Sequence, residues 1–170
     1  MNKQLIPCLY LHSEKAVTGF GQRNLFGDGN VETLAKFYGD NGADELLVFD
    51  SSSADAEHDR AIGKIRDICQ VSEIPVIAAG NIKRMEDVQR ILYSGAKRVI
   101  LNFSKPDSAD MMTKAAERFG KEKVAVSLDD FDGLFKHQHL IEDNCSQLLF
   151  MHRLDLNSIM NVSDVPCVII

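Results

Sequence analysis

The chain has 170 residues, 45% of them apolar and 26% charged, the balance of one globular domain with a full core rather than a disordered or fibrous chain. Its formal net charge of −6 and lack of any basic run argue against nucleic acid as the main partner, because nothing would neutralise a row of phosphates. No CxxC pair occurs among Cys8, Cys69, Cys145 and Cys167, so neither a zinc knuckle nor a disulfide framework is expected.

Cys8, Cys69 and Cys167 sit in apolar company (PCLYL, DICQV, VPCVII) and read as buried free thiols. The opening MNKQLIPCLYL has too short an apolar run for a signal peptide, and no stretch approaches a membrane span. The cytoplasm is the expected compartment.

Gln4–Leu11 reads as a first strand, followed by a long Gly- and Asn-rich loop over Glu14–Asn30. Val31–Asp40 is predicted helical, with Val31, Leu34, Ala35 and Tyr38 on one face and Asn30 as its cap. Glu45–Asp50 is the second strand. Ala56–Gln70 is the second helix, with Ile62, Ile65, Ile68 and Cys69 on one stripe. Pro75–Ala79 is the third strand, and Arg84–Ser94 the third helix, stopped by Gly95. Arg98–Asn102, the helix Ser108–Phe119 and Lys123–Leu128 complete the clear part of the pattern. After Asp129 the signal weakens: Leu134–Asp143 reads as a fifth helix, Ser146–Met151 as a sixth strand, Leu154–Asn161 as a short sixth helix and Val165–Ile170 as a seventh strand.

Two of these stretches repeat each other. Gly42-Ala-Asp-Glu-Leu-Leu-Val-Phe-Asp50 and Gly95-Ala-Lys-Arg-Val-Ile-Leu-Asn102 each pass from a Gly-Ala helix exit, through two charged residues, into an apolar strand ending in a polar side chain. A repeat with a helix between its copies is a βα repeat, and in a parallel barrel such strand ends carry the chemistry.

Right-handed crossovers bring the strand ends to one rim. The residues there are Tyr10 to His12, Asp50 and Ser51, Gly80 and Asn81, Asn102 to Ser104, and Asp129 and Asp130. An Asp or Asn in such a place also caps helices and holds turns. Gly80 and Asn81 form the best phosphate candidate, since glycine lets backbone N–H groups approach an oxyanion. Asp50 and Asp129 are candidates for a general acid and base across the rim. His137 and His139 stand at i and i+2 in a helical stretch, where they do not face each other, so no metal is expected. His58, beside Asp59 at a helix start, is expected to be exposed. Ser51-Ser52-Ser53 lacks the strained elbow of a serine hydrolase.

Leu5-Ile-Pro-Cys-Leu-Tyr-Leu11, Gly42–Asp50, Ile74-Pro-Val-Ile-Ala-Ala-Gly-Asn-Ile82, Glu86-Asp-Val88, Gly95-Ala, Val99-Ile-Leu-Asn102 and Val124-Ala-Val-Ser-Leu-Asp129, taken in order, resemble the cyclase subunit of imidazole glycerol phosphate synthase, a histidine-biosynthesis (β/α)8 barrel. The resemblance runs from Leu5 to Asp129. It implies an ammonia-dependent cyclase (a lyase) that converts a phosphoribulosyl-formimino carboxamide nucleotide into imidazole glycerol phosphate, with a glutaminase partner and no cofactor. It assigns the second catalytic aspartate to Asp129, the second-strand aspartate to Asp50 and a phosphate-holding neighbourhood to Asn102, Phe103 and Ser104. The departures are specific. Tyr10 stands where the family has its first catalytic aspartate, and a phenol with a pKa of about 10 is a poor base at neutral pH. Thr18 replaces a lysine, and Ala79-Gly80-Asn81 replaces a triple glycine.

The expected fold is therefore α/β, a TIM-type barrel present as an incomplete set of about six to seven strands, where a full one takes about 250 residues. The chain is expected to be one such domain, part of a longer polypeptide, as in fusions ahead of a phosphoribosyl-AMP cyclohydrolase and phosphoribosyl-ATP pyrophosphatase unit. An open sheet edge would favour self-association. Three functions fit: a catalytically degenerate barrel that binds a phosphorylated ligand or serves a structural role; an active cyclase using Asp129 and Asp50; and another phosphosugar enzyme on the same rim.

Overall fold

A computed structural model describes residues 4–150 and 165–169. The chain forms two compact units, Met1–Lys97 and Arg98–Ile170.

The first unit alternates strands and helices in the order β1 (Cys8–His12), β2 (Lys15–Val17), α1 (Val31–Asp40), β3 (Leu46–Asp50), α2 (Asp55–Val71), β4 (Val76–Ala79) and α3 (Met85–Tyr93). β1 and β3 pair in parallel, with Tyr10 opposite Phe49 and Leu11 opposite Asp50. β3 and β4 also pair in parallel, with Leu46 opposite Val76 and Phe49 opposite Ala79. Leu46, Leu47 and Val48 and the whole of β4 are buried. Unbroken apolar runs of this kind mark strands covered on both faces, as in βα folds. Asn30 accepts the Thr33 N–H at 2.8 Å and so starts α1. α2 buries His58, Ala61, Ile62, Ile65 and Ile68, one stripe of helical period.

The second unit runs β5 (Arg98–Asn102), α4 (Ser108–Phe119), a 3₁₀ turn (Lys121–Lys123), β6 (Val124–Leu128), α5 (Phe131–Asn144), β7 (Gln147–Phe150) and β8 (Cys167–Ile169). Each neighbouring pair, β5–β6, β6–β7 and β7–β8, is parallel. Asp130 caps α5 by accepting the Gly133 N–H at 3.0 Å. α5 is broken at His137, where φ is −127° and ψ 20°.

These elements meet the expected pattern, apart from a first strand that starts at Cys8 rather than Gln4, after a Pro7 that has no N–H for the ladder, with two corrections and one element outside the described residues. The expected loop Glu14–Asn30 contains β2, antiparallel to β1, with Tyr10 opposite Val17. The chain reverses at Ser13, in left-handed conformation at φ 56°. Bonds from Ala16 N to Gly29 O and from Phe26 N to Ala16 O then order the stretch. Three residues were too few for period-2 alternation to register against the surrounding glycines. The second correction concerns the thiols. All four cysteines are free, but Cys145 is the buried one, while Cys8, Cys69 and Cys167 are half-buried. Cys145 ends α5, its N–H donating to Ile141 O, and its polar neighbours Asn144 and Ser146 disguised it. The predicted helix Leu154–Asn161 lies outside the described residues.

Candidate functional site

Side chains alternate along a strand, so Cys8, Tyr10 and His12 share one face of β1 and the buried Leu9 and Leu11 the other. The Tyr10 ring meets Phe49 on β3 at 5.9 Å between centroids, and Phe49 meets the Phe20 ring edge-on at 5.5 Å. Tyr10 thus ends an aromatic ladder. Burial, and then the neighbouring Cys8, raise its phenol pKa above the ordinary value. Burial pushes the Cys8 thiol up to about 11. Both groups keep their protons at neutral pH.

Asp50 is on the opposite side of its strand from Phe49 and is buried. One carboxylate oxygen accepts the Ser52 N–H at 2.8 Å. The other lies 2.6 Å from His58 Nδ1 and 3.4 Å from Asn81 Nδ2. Asp50 is therefore neither a solvated turn carboxylate nor a neighbour of Tyr10.

His58, expected to be exposed, is buried. The correction has a simple cause. His58 falls on the same helical stripe as Ile62 and Ile65, one turn earlier, so the stripe carries it inward. Extending that stripe backward is the signal that would have found it. Its Nε2 lies 3.7 Å from Asp87 Oδ1. Asp87, also buried, accepts the Lys83 and Arg84 N–H groups at 3.2 and 3.1 Å and the Arg84 guanidinium at 3.2 Å.

Gly80 and Asn81 follow β4, both at positive φ, 88° and 55°. A Cβ on Gly80 would overlap the Asp50 backbone, so the glycine is required by β3 whatever else approaches it. The Asn81 amide donates to Ser52 O. The first unit therefore brings Asp50, Gly80 and Asn81 together and leaves Tyr10 on another face.

In the second unit, Asn102 Oδ1 accepts the Ser104 N–H at 2.9 Å, and Ser104 Oγ donates to Asp129 Oδ2 at 2.6 Å. The Phe103 N–H donates to Ser127 O at 3.0 Å, which aligns the ends of β5 and β6. Asn102, Ser104 and Asp129 are exposed. Phe103 is half-buried, with its ring at 5.3 Å from the exposed His137. Asp129 is thus an accessible carboxylate oriented by a hydroxyl, a geometry suited to proton transfer. Among the described residues, no group of three or more His, Cys, Asp or Glu is placed to hold a metal ion, and no helix is long and apolar enough to cross a membrane.

Residues 4–157 match the family described as histidine biosynthesis protein. Three relatives carry the name imidazole glycerol phosphate synthase subunit HisF. The Staphylococcus epidermidis protein is 32% identical over 131 residues, covering 77% of this chain and 52% of its own. The Tolumonas auensis protein is 36% identical, covering 76% and 50%. The Methanocaldococcus jannaschii protein is 33% identical, covering 76% and 47%. The chain thus spans about half the length of the curated relatives it matches. Its parallel βα repeats, the incomplete series of a TIM-type barrel, and the run of matched residues lead to one conclusion: the chain belongs to the histidine biosynthesis protein family and is similar to its HisF members.

Proposed function

We propose that this is a cyclase-like domain of a larger cytoplasmic histidine-biosynthesis protein that has lost cyclase turnover and is retained to bind a phosphorylated small molecule or to support its neighbours. The observation that carries this reading is Tyr10. It takes the place of the family's first catalytic aspartate, burial raises its phenol pKa further above the ordinary value, and the ladder of Phe49 and Phe20 lies beside it. Asp50 offers no substitute, because its buried carboxylate is already engaged by Ser52 and His58. One lost acid or base typically costs several orders of magnitude in rate.

Gly80, Asn81, Asn102, Phe103 and Ser104 are the residues proposed to line phosphate-holding turns. Lys83 and Arg84 contribute no backbone donor, since both N–H groups are bonded to Asp87. A glutaminase subunit, or a fused phosphoribosyl-AMP cyclohydrolase and phosphoribosyl-ATP pyrophosphatase unit, is the partner proposed by family resemblance. Self-association is proposed through β8, which among the described residues pairs only with β7.

A second reading has support in the Ser104–Asp129 bond of 2.6 Å: an active cyclase with Asp129 as general acid. Ammonia-dependent turnover by the Tyr10→Asp variant of the full-length protein, measured beside the unaltered protein, separates the two. Gain of turnover in the variant alone supports an intact pocket silenced at one residue. Turnover in the unaltered protein, lost in Asp129→Asn, supports the second reading.

A further inference from the structure

We propose that His58 is the positioning residue of the turn between β4 and α3: it joins both anchors of residues 80–84 and so sets the backbone that would meet a phosphate, without touching the ligand. This rests on the reading of Gly80 and Asn81 as a phosphate-holding turn.

The turn is fixed at two points. At its start, Asn81 is left-handed, and its side-chain amide donates to Ser52 O and reaches Asp50 Oδ2 at 3.4 Å. At its end, the Lys83 and Arg84 N–H groups donate to Asp87 Oδ2. His58 stands between the two buried carboxylates, with Nδ1 2.6 Å from Asp50 and Nε2 3.7 Å from Asp87. Its Nε2 is buried and has no hydrogen-bond partner, so Asp87 is the polar group it faces. Among the described contacts, no other side chain pairs with both carboxylates.

A side chain of α2 therefore bonds to the end of β3 and faces the start of α3 at 3.7 Å, and the turn is strung between them. Without the imidazole, Asp50 loses a hydrogen-bond partner and Asp87 the imidazole it faces, and the space between them closes or admits water. Each carries one end of the turn with it. Groups that touch a ligand are held in place by supporting side chains in this way. A role in core packing alone would instead lower stability and leave the turn as it is.

The test is an NMR titration of the full chain with inorganic phosphate, reading affinity and the positions of the Gly80, Asn81, Lys83 and Arg84 amide signals. His58→Ala is expected to weaken phosphate about tenfold, the lower range for loss of a supporting residue, and to displace those signals. Ile65→Ala, which opens a cavity two turns further along α2, is expected to lose stability while keeping affinity and signals. His58→Gln, which can still donate to Asp50, is expected to recover part of both. Equal effects of His58→Ala and Ile65→Ala on affinity and signals would overturn the proposal. If the unaltered protein binds no phosphate while His58→Ala still displaces the signals, the bracing stands and the phosphate reading falls. Should His58→Ala fail to fold, Asp87→Asn gives the comparison. The Asn81 side-chain signals, at the far anchor, move if His58 couples the anchors and stay if it does not.

Discussion

Tyr10 and Asp50 stand one step apart in the β1–β3 register yet face opposite sides of their strands. Tyr10 shares its face with Phe49, and Asp50 shares the other with Leu11 and meets α2 through His58. Strand alternation makes the separation unavoidable: no rotamer change brings the two onto one face. Under the proposed function, position 50 therefore offers no substitute for a base at position 10, and Asp50 belongs to a buried polar ring that organises three elements of the first unit.

That ring has a measurable energy. Removing one partner of a buried hydrogen bond leaves the other unsatisfied and costs about 1–3 kcal/mol. Chemical denaturation is expected to show a loss of about this size for Asp50→Ala and for His58→Ala. In a double-mutant cycle the two losses are expected to fall well short of additivity, since either change breaks the same contact. Additive losses would place the stabilisation elsewhere.

Two glycines are expected to respond oppositely to alanine. Gly80 has φ 88° and no room for a Cβ beside the Asp50 backbone, so Gly80→Ala is expected to destabilise by about 2 kcal/mol or more through strain and displacement of β3. Gly63 lies inside α2 with nothing within 4 Å of an added Cβ. Gly63→Ala is expected to stabilise by about 1 kcal/mol through helix propensity. Melting temperatures of the two variants check both signs.

Alkaline pH is expected to weaken the fold through its buried thiol. Burial pushes Cys145 from 9.0 up to about 12. The unfolded chain releases this proton first, so the contribution to stability is complete below about pH 9 and is lost as pH rises toward 12. In that window the slope is about 1.4 kcal/mol per pH unit for one thiol. Cys145→Ala is expected to flatten the alkaline limb of a stability profile, and an unchanged limb would assign it to other groups.

The regular part of the fold was legible because local signals agreed. Apolar runs of strand length alternated with helical stripes, and the Gly42 and Gly95 exits repeated at matching places. Helices α1 and α4 have the bounds expected of them, α1 starting at its Asn30 cap and α4 stopping at Gly120. β2 was not legible, because a three-residue strand held by hairpin bonds leaves no period to detect. The rim candidates were identified by position along the strands, yet position does not give direction. Asp50 at the end of β3 could be assigned to the rim, but its turn toward α2 depended on His58, a polar residue hidden in an apolar stripe. Asp87 escaped for the same reason: it sits beside Val88 on α3, and only its bonds to the Lys83 and Arg84 backbone show why it is buried.

The most direct measurement is ammonia-dependent cyclase turnover by the unaltered full-length protein with the family's carboxamide nucleotide. No turnover above background is expected under the proposed function, because Tyr10 keeps its proton and Asp50 is committed to His58. Turnover abolished by Asp129→Asn would contradict it and make this domain a working lyase with a base not yet identified.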